Sequence, residues 1–154
     1  MLFRSEDGPF VKEVGETGTE THLIRVGRVR QMVKGGKAVM RLVRLIRDQG
    51  IDLVHSHNAK AHIYGGLAAR IARVPSLYHL HGVPKPTFSR DGVVSILSVL
   101  IPARETVACS QYVAGAFKAA WRAKRKVFVI HNGVVLETVG PMSEIGRASC
   151  RERV

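Results

Sequence analysis

The chain has 154 residues, 45% of them hydrophobic and 23% charged: enough for one domain with a core, too little for two domains of ordinary size. Charges scattered among apolar runs exclude a disordered or fibrous protein, and two cysteines, Cys109 and Cys150, exclude a disulfide framework and suit a reducing cytoplasm. The net charge of +12 asks for an anionic partner, whether nucleic acid, phospholipid or phosphorylated substrate, without choosing among them.

The opening MLFRSEDGPF has no signal-peptide pattern, so export is not expected, and Leu2 to Arg4 reads as a short strand. From Thr21 onward β-rich runs alternate with helical patterns, the signature of βαβ units and a parallel sheet. Strands are expected at Thr21 to Val26, Asp52 to His57, Ser76 to His81, Thr106 to Ser110 and Lys126 to His131. Gly35 and Gly36 read as a turn, since no phosphate loop or dinucleotide fingerprint surrounds them. Lys37 to Asp48 is an amphipathic helix with Val39, Leu42, Val43 and Ile46 on one face and Gly50 at its stop. Asn58 caps a second helix, in which Ile63, Leu67 and Ile71 recur every four residues before Val74 and Pro75 end it. Val93 to Ile101 makes a third helix, about half the length needed to span a bilayer. Gln111 to Trp121 makes a fourth, capped by Ser110.

In an open parallel sheet, ligands bind beyond the carboxyl ends of the strands. Those ends here carry His57 and Asn58, then His81 and Gly82, then Ser110, then Asn132 and Gly133. His55, His57 and His62 have a spacing open to a metal reading, because imidazole suits zinc. No Asp or Glu stands near them, and the barrel of a metal-dependent hydrolase needs roughly 250 residues, so no metal and no cofactor is expected. His55 is expected to be buried beside the sheet and hydrogen-bonded. His81 differs in sitting at a strand tip, followed by a glycine that lets backbone approach a ligand. The basic run from Arg25 to Arg47, which includes Arg41, Arg44 and Arg47, contains no acid; it is either a solvated face or an element drawn to anionic lipid. No aromatic residue interleaves with these cations, so nucleic acid is not expected as a partner.

The series IDLVHSHNAKAHIYGGLAARIARVPSLYHLHG, then TVACS, then KVFVIHNGV, resembles the first domain of family 4 glycosyltransferases, enzymes of the two-domain GT-B fold. The resemblance covers roughly Phe3 to Val134. It implies an α/β, Rossmann-like, doubly wound parallel sheet, and a parent enzyme that moves a sugar with retention from a nucleotide sugar to an acceptor. The acceptor it implies is a bacterial surface polysaccharide or glycolipid precursor, and the basic helix with the apolar Val93 to Ile101 helix points to a lipid-linked one met at the cytoplasmic membrane face. By the same resemblance His81 contacts the transferred sugar, positioning and hydrogen bonding rather than attacking it. His57, Asn58, Lys60 and Gly82 line the acceptor side, and Ser110, Asn132 and Gly133 border the interdomain cleft. The family usually has Pro where His131 stands and Asp where Val135 stands. Its first strand and its second domain, with the paired glutamates for the nucleotide sugar, are not found in this chain. Two half-sheets with unpaired edges, poor folding in isolation and no activity of the chain alone are therefore expected. A sugar-nucleotide epimerase or a stand-alone flavodoxin-like binding module are the alternatives.

Residues 1–140 are read as the partial domain and 141–154 as a non-native tail. Ile145 to Val154 can be spelled ATC GGA AGA GCG TCG TGT AGG GAA AGA GTG, which resembles a sequencing adapter; any other codon choice in the source nucleotide sequence removes that reading.

Overall fold

The structure is a computed structural model, and it describes residues 2–4, 9–24, 32–83, 90–121 and 126–133. The expected tail, Pro84 to Pro86, and Arg25, Arg28 and Arg30 lie outside these residues.

The elements run β1 (Leu2–Arg4), α1 (Pro9–Glu16), β2 (Thr21–Leu23), α2 (Met32–Asp48), β3 (Val54–Ser56) and α3 (Ala59–Ala72), then β4 (Ser76–Leu80), α4 (Arg90–Leu100), β5 (Glu105–Ala108), α5 (Gln111–Trp121) and β6 (Val127–Val129). All pairings are parallel, and they form two sheets: β1 with β2, and β3-β4-β5-β6 in chain order. The described strands do not bridge β1 to β3.

Helix α2 begins at Met32, five residues before the expected start, and takes Gly35 and Gly36 into its first turns. The reason is packing: a Cβ at Gly35 would lie 3.4 Å from the Tyr64 ring, so the glycine brings α2 close to α3. Its apolar face, Ala38, Val39, Leu42, Val43 and Ile46, is buried with Ile24, Tyr64 and Ala68 in one core cluster. Gly50, at φ 59°, follows the helix in the left-handed conformation.

Asn58 caps α3 as expected, its Oδ1 accepting from the Ala61 N–H at 2.8 Å. The helix ends on Arg73 in the left-handed region (φ 64°), where the Val74 N–H returns to the Ala69 carbonyl. The repeat of Ile63, Leu67 and Ile71 does not mark the buried face, for Leu67 is 36% and Ile71 44% exposed. What α3 buries is His62, Ile63, Tyr64, Gly65, Gly66, Ala68 and Ala69. Small residues win because the helix is wedged between α2, the β3–β4 surface and α4. A Cβ at Gly65 would lie 3.0 Å from Ser56 Oγ, and one at Gly66 would lie 2.9 Å from His62 Cε1 and 3.0 Å from Ile101 Cγ2.

His62 itself cannot yield. It is fully buried, stacks on Tyr78 at 4.3 Å and donates from Nε2 to the Ile101 carbonyl at 3.2 Å. Gly66→Ala is therefore expected to destabilise, although Gly→Ala inside a helix ordinarily gains about 1 kcal/mol. Overpacking costs about 1–3 kcal/mol, and the balance lowers the thermal midpoint by about 2–5 °C for a domain of this size. A rise in the midpoint would show that the contact relaxes freely.

Helices α3, α4 and α5 pack on one face of the larger sheet. Gly65 of α3 meets Ser56 and Val54, Ser98 of α4 bonds Tyr78 at 3.1 Å, and Val113, Ala114 and Phe117 of α5 join Tyr78, Leu80 and Ala108 in the second core cluster. Strand alternation turns His55, His57, His79 and His81 to the opposite face.

Candidate functional site

Because the four strands of the larger sheet are parallel, all their carboxyl ends lie on one edge. The ladder extends past β5 and β6 there: Cys109 N–H reaches the Leu80 carbonyl at 3.1 Å, and Ile130 N–H reaches that of Ala108 at 3.0 Å. His57, Asn58, His81, Gly82, Ser110, Asn132 and Gly133 thus share that edge, with Lys60 in the first turn of α3. Lys60 and Ser110 are half-buried and the others exposed.

Two of these residues meet directly. His57 Nδ1 and His81 Nε2 are 3.1 Å apart, and the rings stack at 5.4 Å with an interplanar angle of 16°. The pairing of Ser56 with Tyr78 brings this about, since one step further sets His57 beside His79 and His81 just beyond. Asn58 and Ser110 have prior duties. The oxygen of Asn58 is held by the α3 cap, and Ser110 Oγ accepts from the Val113 N–H at 3.2 Å to cap α5. Their contribution to a ligand is limited to the groups the caps leave over. A Cβ at Gly82 would meet nothing within 4 Å, so the backbone there is open to a ligand.

The sequence undervalued two neighbours. His55, expected to be buried, is exposed; it lies 4.2 Å from His57 and 5.4 Å from His79, ring centre to ring centre. His79 is the buried one, 8% exposed, and neither of its ring nitrogens has a hydrogen-bond partner. Each unsatisfied buried polar group costs about 1–3 kcal/mol, a cost that a ligand engaging His79 would remove; His62 Nδ1 is likewise without a partner. A ligand nitrogen from each of His55, His57 and His79 lies within 4.8 Å of the other two. The metal reading, set aside in the sequence for want of further ligands, thus gains a third one from the adjacent strand. His62 does not join them, being on the opposite face. The signal was legible as two HxH segments at consecutive strand ends, which a parallel register lays side by side.

Burial pushes His55, His57 and His79 below the ordinary imidazole pKa; the like charge of His81 adds to this in all three, that of His55 in His57 and His79, and that of His57 in His79. Burial also lowers His62, against the opposing pull of its bond to Ile101. The sign of the pH dependence follows. Well above pH 6.5 the rings of His55, His57, His62 and His79 are neutral in both the folded and the unfolded chain, and as pH falls through about 6.5 the unfolded chain takes up protons first. Stability is then lost as pH falls toward the depressed folded values. The thermal midpoint is expected to be level from pH 8 to 7 and to drop by pH 5.5; a flat profile would contradict the lowering of these imidazole pKa values in the folded chain.

Fold and strand-end edge together define a Rossmann-like binding domain. The model of Glycosyltransferase Family 4 matches residues 1–138, and the chain belongs to that family. It is 26% identical, over 99% of its length, to the Escherichia coli UDP-Gal:alpha-D-GlcNAc-diphosphoundecaprenol alpha-1,3-galactosyltransferase, of which it covers 41%. Among solved structures it is similar to Anabaena Alr3699/HepE in complex with UDP and glucose (TM-score 0.73, 22% identity, 99% of this chain and 42% of that one). It is also similar to a glycosyltransferase from Rickettsia africae (TM-score 0.67, 20% identity, 95% of this chain and 39% of that one). A third is the MurG of Acinetobacter baumannii (TM-score 0.61, 16% identity, 86% of this chain and 37% of that one). The chain thus spans about two fifths of the length of these relatives.

Proposed function

We propose that this chain is the acceptor-side portion of a retaining glycosyltransferase that moves a sugar from a nucleotide sugar to a lipid-linked or surface polysaccharide precursor. The observation that carries the reading is the meeting of His57 and His81 at the strand-end edge of a chain matched to the family over residues 1–138. His81, held by His57, hydrogen-bonds the transferred sugar. His57, Asn58, Lys60 and Gly82 line the acceptor side, and Ser110, Asn132 and Gly133 border the cleft toward a second, donor-binding domain. A uridine diphosphate sugar fits the role of donor, since the Anabaena relative is in complex with UDP and glucose. A polyprenyl-diphosphate-linked N-acetylhexosamine is the acceptor class to try first, after the acceptor for which the Escherichia coli relative is named.

The test is transfer by the undivided gene product from a panel of uridine diphosphate sugars to such an acceptor. Release of uridine diphosphate together with a lipid product one sugar heavier is expected; no transfer with any donor would overturn the reading. The 154-residue chain by itself is expected to transfer nothing.

Contact with an anionic membrane at its cytoplasmic face is the second half of the proposal. The apolar face of α2 is spent on the core, so only its outer side is available: Lys37, Met40, Arg41, Arg44 and Arg47 are exposed, and Arg47 Nη2 donates to the Ile71 carbonyl at 3.2 Å. No helix among the described residues is long and apolar enough to cross a membrane. Attraction without insertion gives about 1 kcal/mol per basic side chain at the surface. Arg41→Glu with Arg44→Glu is expected to weaken co-sedimentation with phosphatidylserine vesicles at least tenfold, and added salt to do the same. Binding insensitive to both would remove the membrane contact.

A further inference from the structure

We propose that His55, His57 and His79 form a binding site for a borderline divalent cation, zinc first, on the face of the larger sheet that α3, α4 and α5 leave uncovered. The site does not rest on sugar transfer, and three observations carry it independently.

The first is distance. One ligand nitrogen from each ring already lies within 4.8 Å of the other two. Zinc holds imidazole nitrogen at about 2.0–2.1 Å, so tetrahedral partners stand about 3.3 Å apart. Closing that difference requires His55 and His57, both exposed, to turn toward His79. The second is His79, 8% exposed and without a partner for either nitrogen although it sits amid the three other rings. A metal would engage its lone pair. The third is the bond between His57 and His81. When His57 Nδ1–H donates to His81 Nε2, the lone pair of His57 is fixed on Nε2, the orienting arrangement that metal-bound histidines use.

Ligand chemistry sets the cation class. Imidazole alone, with no carboxylate in the group among the described residues, suits zinc, nickel or copper and not magnesium or calcium. Three protein ligands leave the fourth tetrahedral position for water or a ligand oxygen. Zinc and an acceptor both draw on His57, so they are expected to compete.

The experiment is titration of the undivided gene product with zinc chloride in competition with a chromophoric chelator. One equivalent is expected to bind with a submicromolar Kd. His55→Ala and His57→Ala should each weaken it about 100-fold, His81→Ala about 10-fold through the lost orienting bond. His22→Ala, in the two-stranded sheet, should leave affinity unchanged. Removing the buried His79 risks the fold, so the exposed pair carries the test. Cobalt(II) in place of zinc should give visible absorption that His55→Ala abolishes. Zinc affinity unmoved by His55→Ala, or no binding tighter than that of the His55→Ala His57→Ala chain, would overturn the site, whatever the outcome of the transfer assay.

Discussion

Amide exchange in the 154-residue chain is expected to divide the molecule, with β1 and β2 exchanging at least about a thousandfold faster than the centre of β4 and β5. The division follows from the two sheets. β4 has neighbours on both sides and is covered by α3, α4 and α5 through Tyr78 and Leu80, 3% and 2% exposed. Among the described residues β1 and β2 pair only with each other, over three residues, and Ile24, just after β2, is buried with the α2–α3 core. Two strands without a third are marginal in water. Local opening there costs little, while opening β4 costs the global unfolding free energy. A gap of about 4 kcal/mol between the two is about three powers of ten in rate, at 1.4 kcal/mol per tenfold. Equal protection in β1 and β4 would mean that the two sheets unfold as one, and would also count against the expected poor folding of the isolated chain.

The βα alternation, every strand to within a few residues, β1 at Leu2–Arg4 included, and both helix caps were legible because each rests on local chemistry. Asn58 and Ser110 have the side chains that reach back to a helix N–H, and β-branched runs flanked by turns mark strands. Gly35 and Gly36 and the Ile63 repeat misled for one reason: a glycine or alanine face is invisible to hydrophobic periodicity but is what lets α2, α3 and the sheet approach. Helix α1 went unread because Pro9, suited to a first helical turn, opens only eight residues, too few for a repeat. Of the site, the tips of the strands were readable from their position after each β-run. His79 was not singled out because its importance lies in the neighbouring strand. Only the in-register pairing of β3 with β4 gathers four histidines on one face.

In the undivided enzyme, assayed after chelation so that the metal site is out of play, His81→Ala is expected to lower kcat/KM by about 10²–10³, the usual cost of one hydrogen-bond donor to a transition state. His57→Ala should cost about tenfold, because His57 positions His81 through the 3.1 Å bond and leaves His81 present when it is lost. If that is how His57 works, the two losses cannot add: the double variant should be no worse than His81→Ala, giving a coupling of about 1.4 kcal/mol for a tenfold effect. A simple wall of the acceptor site behaves differently. His57 contacting acceptor directly would raise KM for the acceptor at unchanged kcat, and its effect would multiply with that of His81. A positioning His57 lowers kcat instead, and His57→Asn, which keeps a donor near His81, should recover part of it. His81→Ala within twofold of the parent would remove the histidine pair from the reaction, leaving the strand-end edge as a binding surface alone.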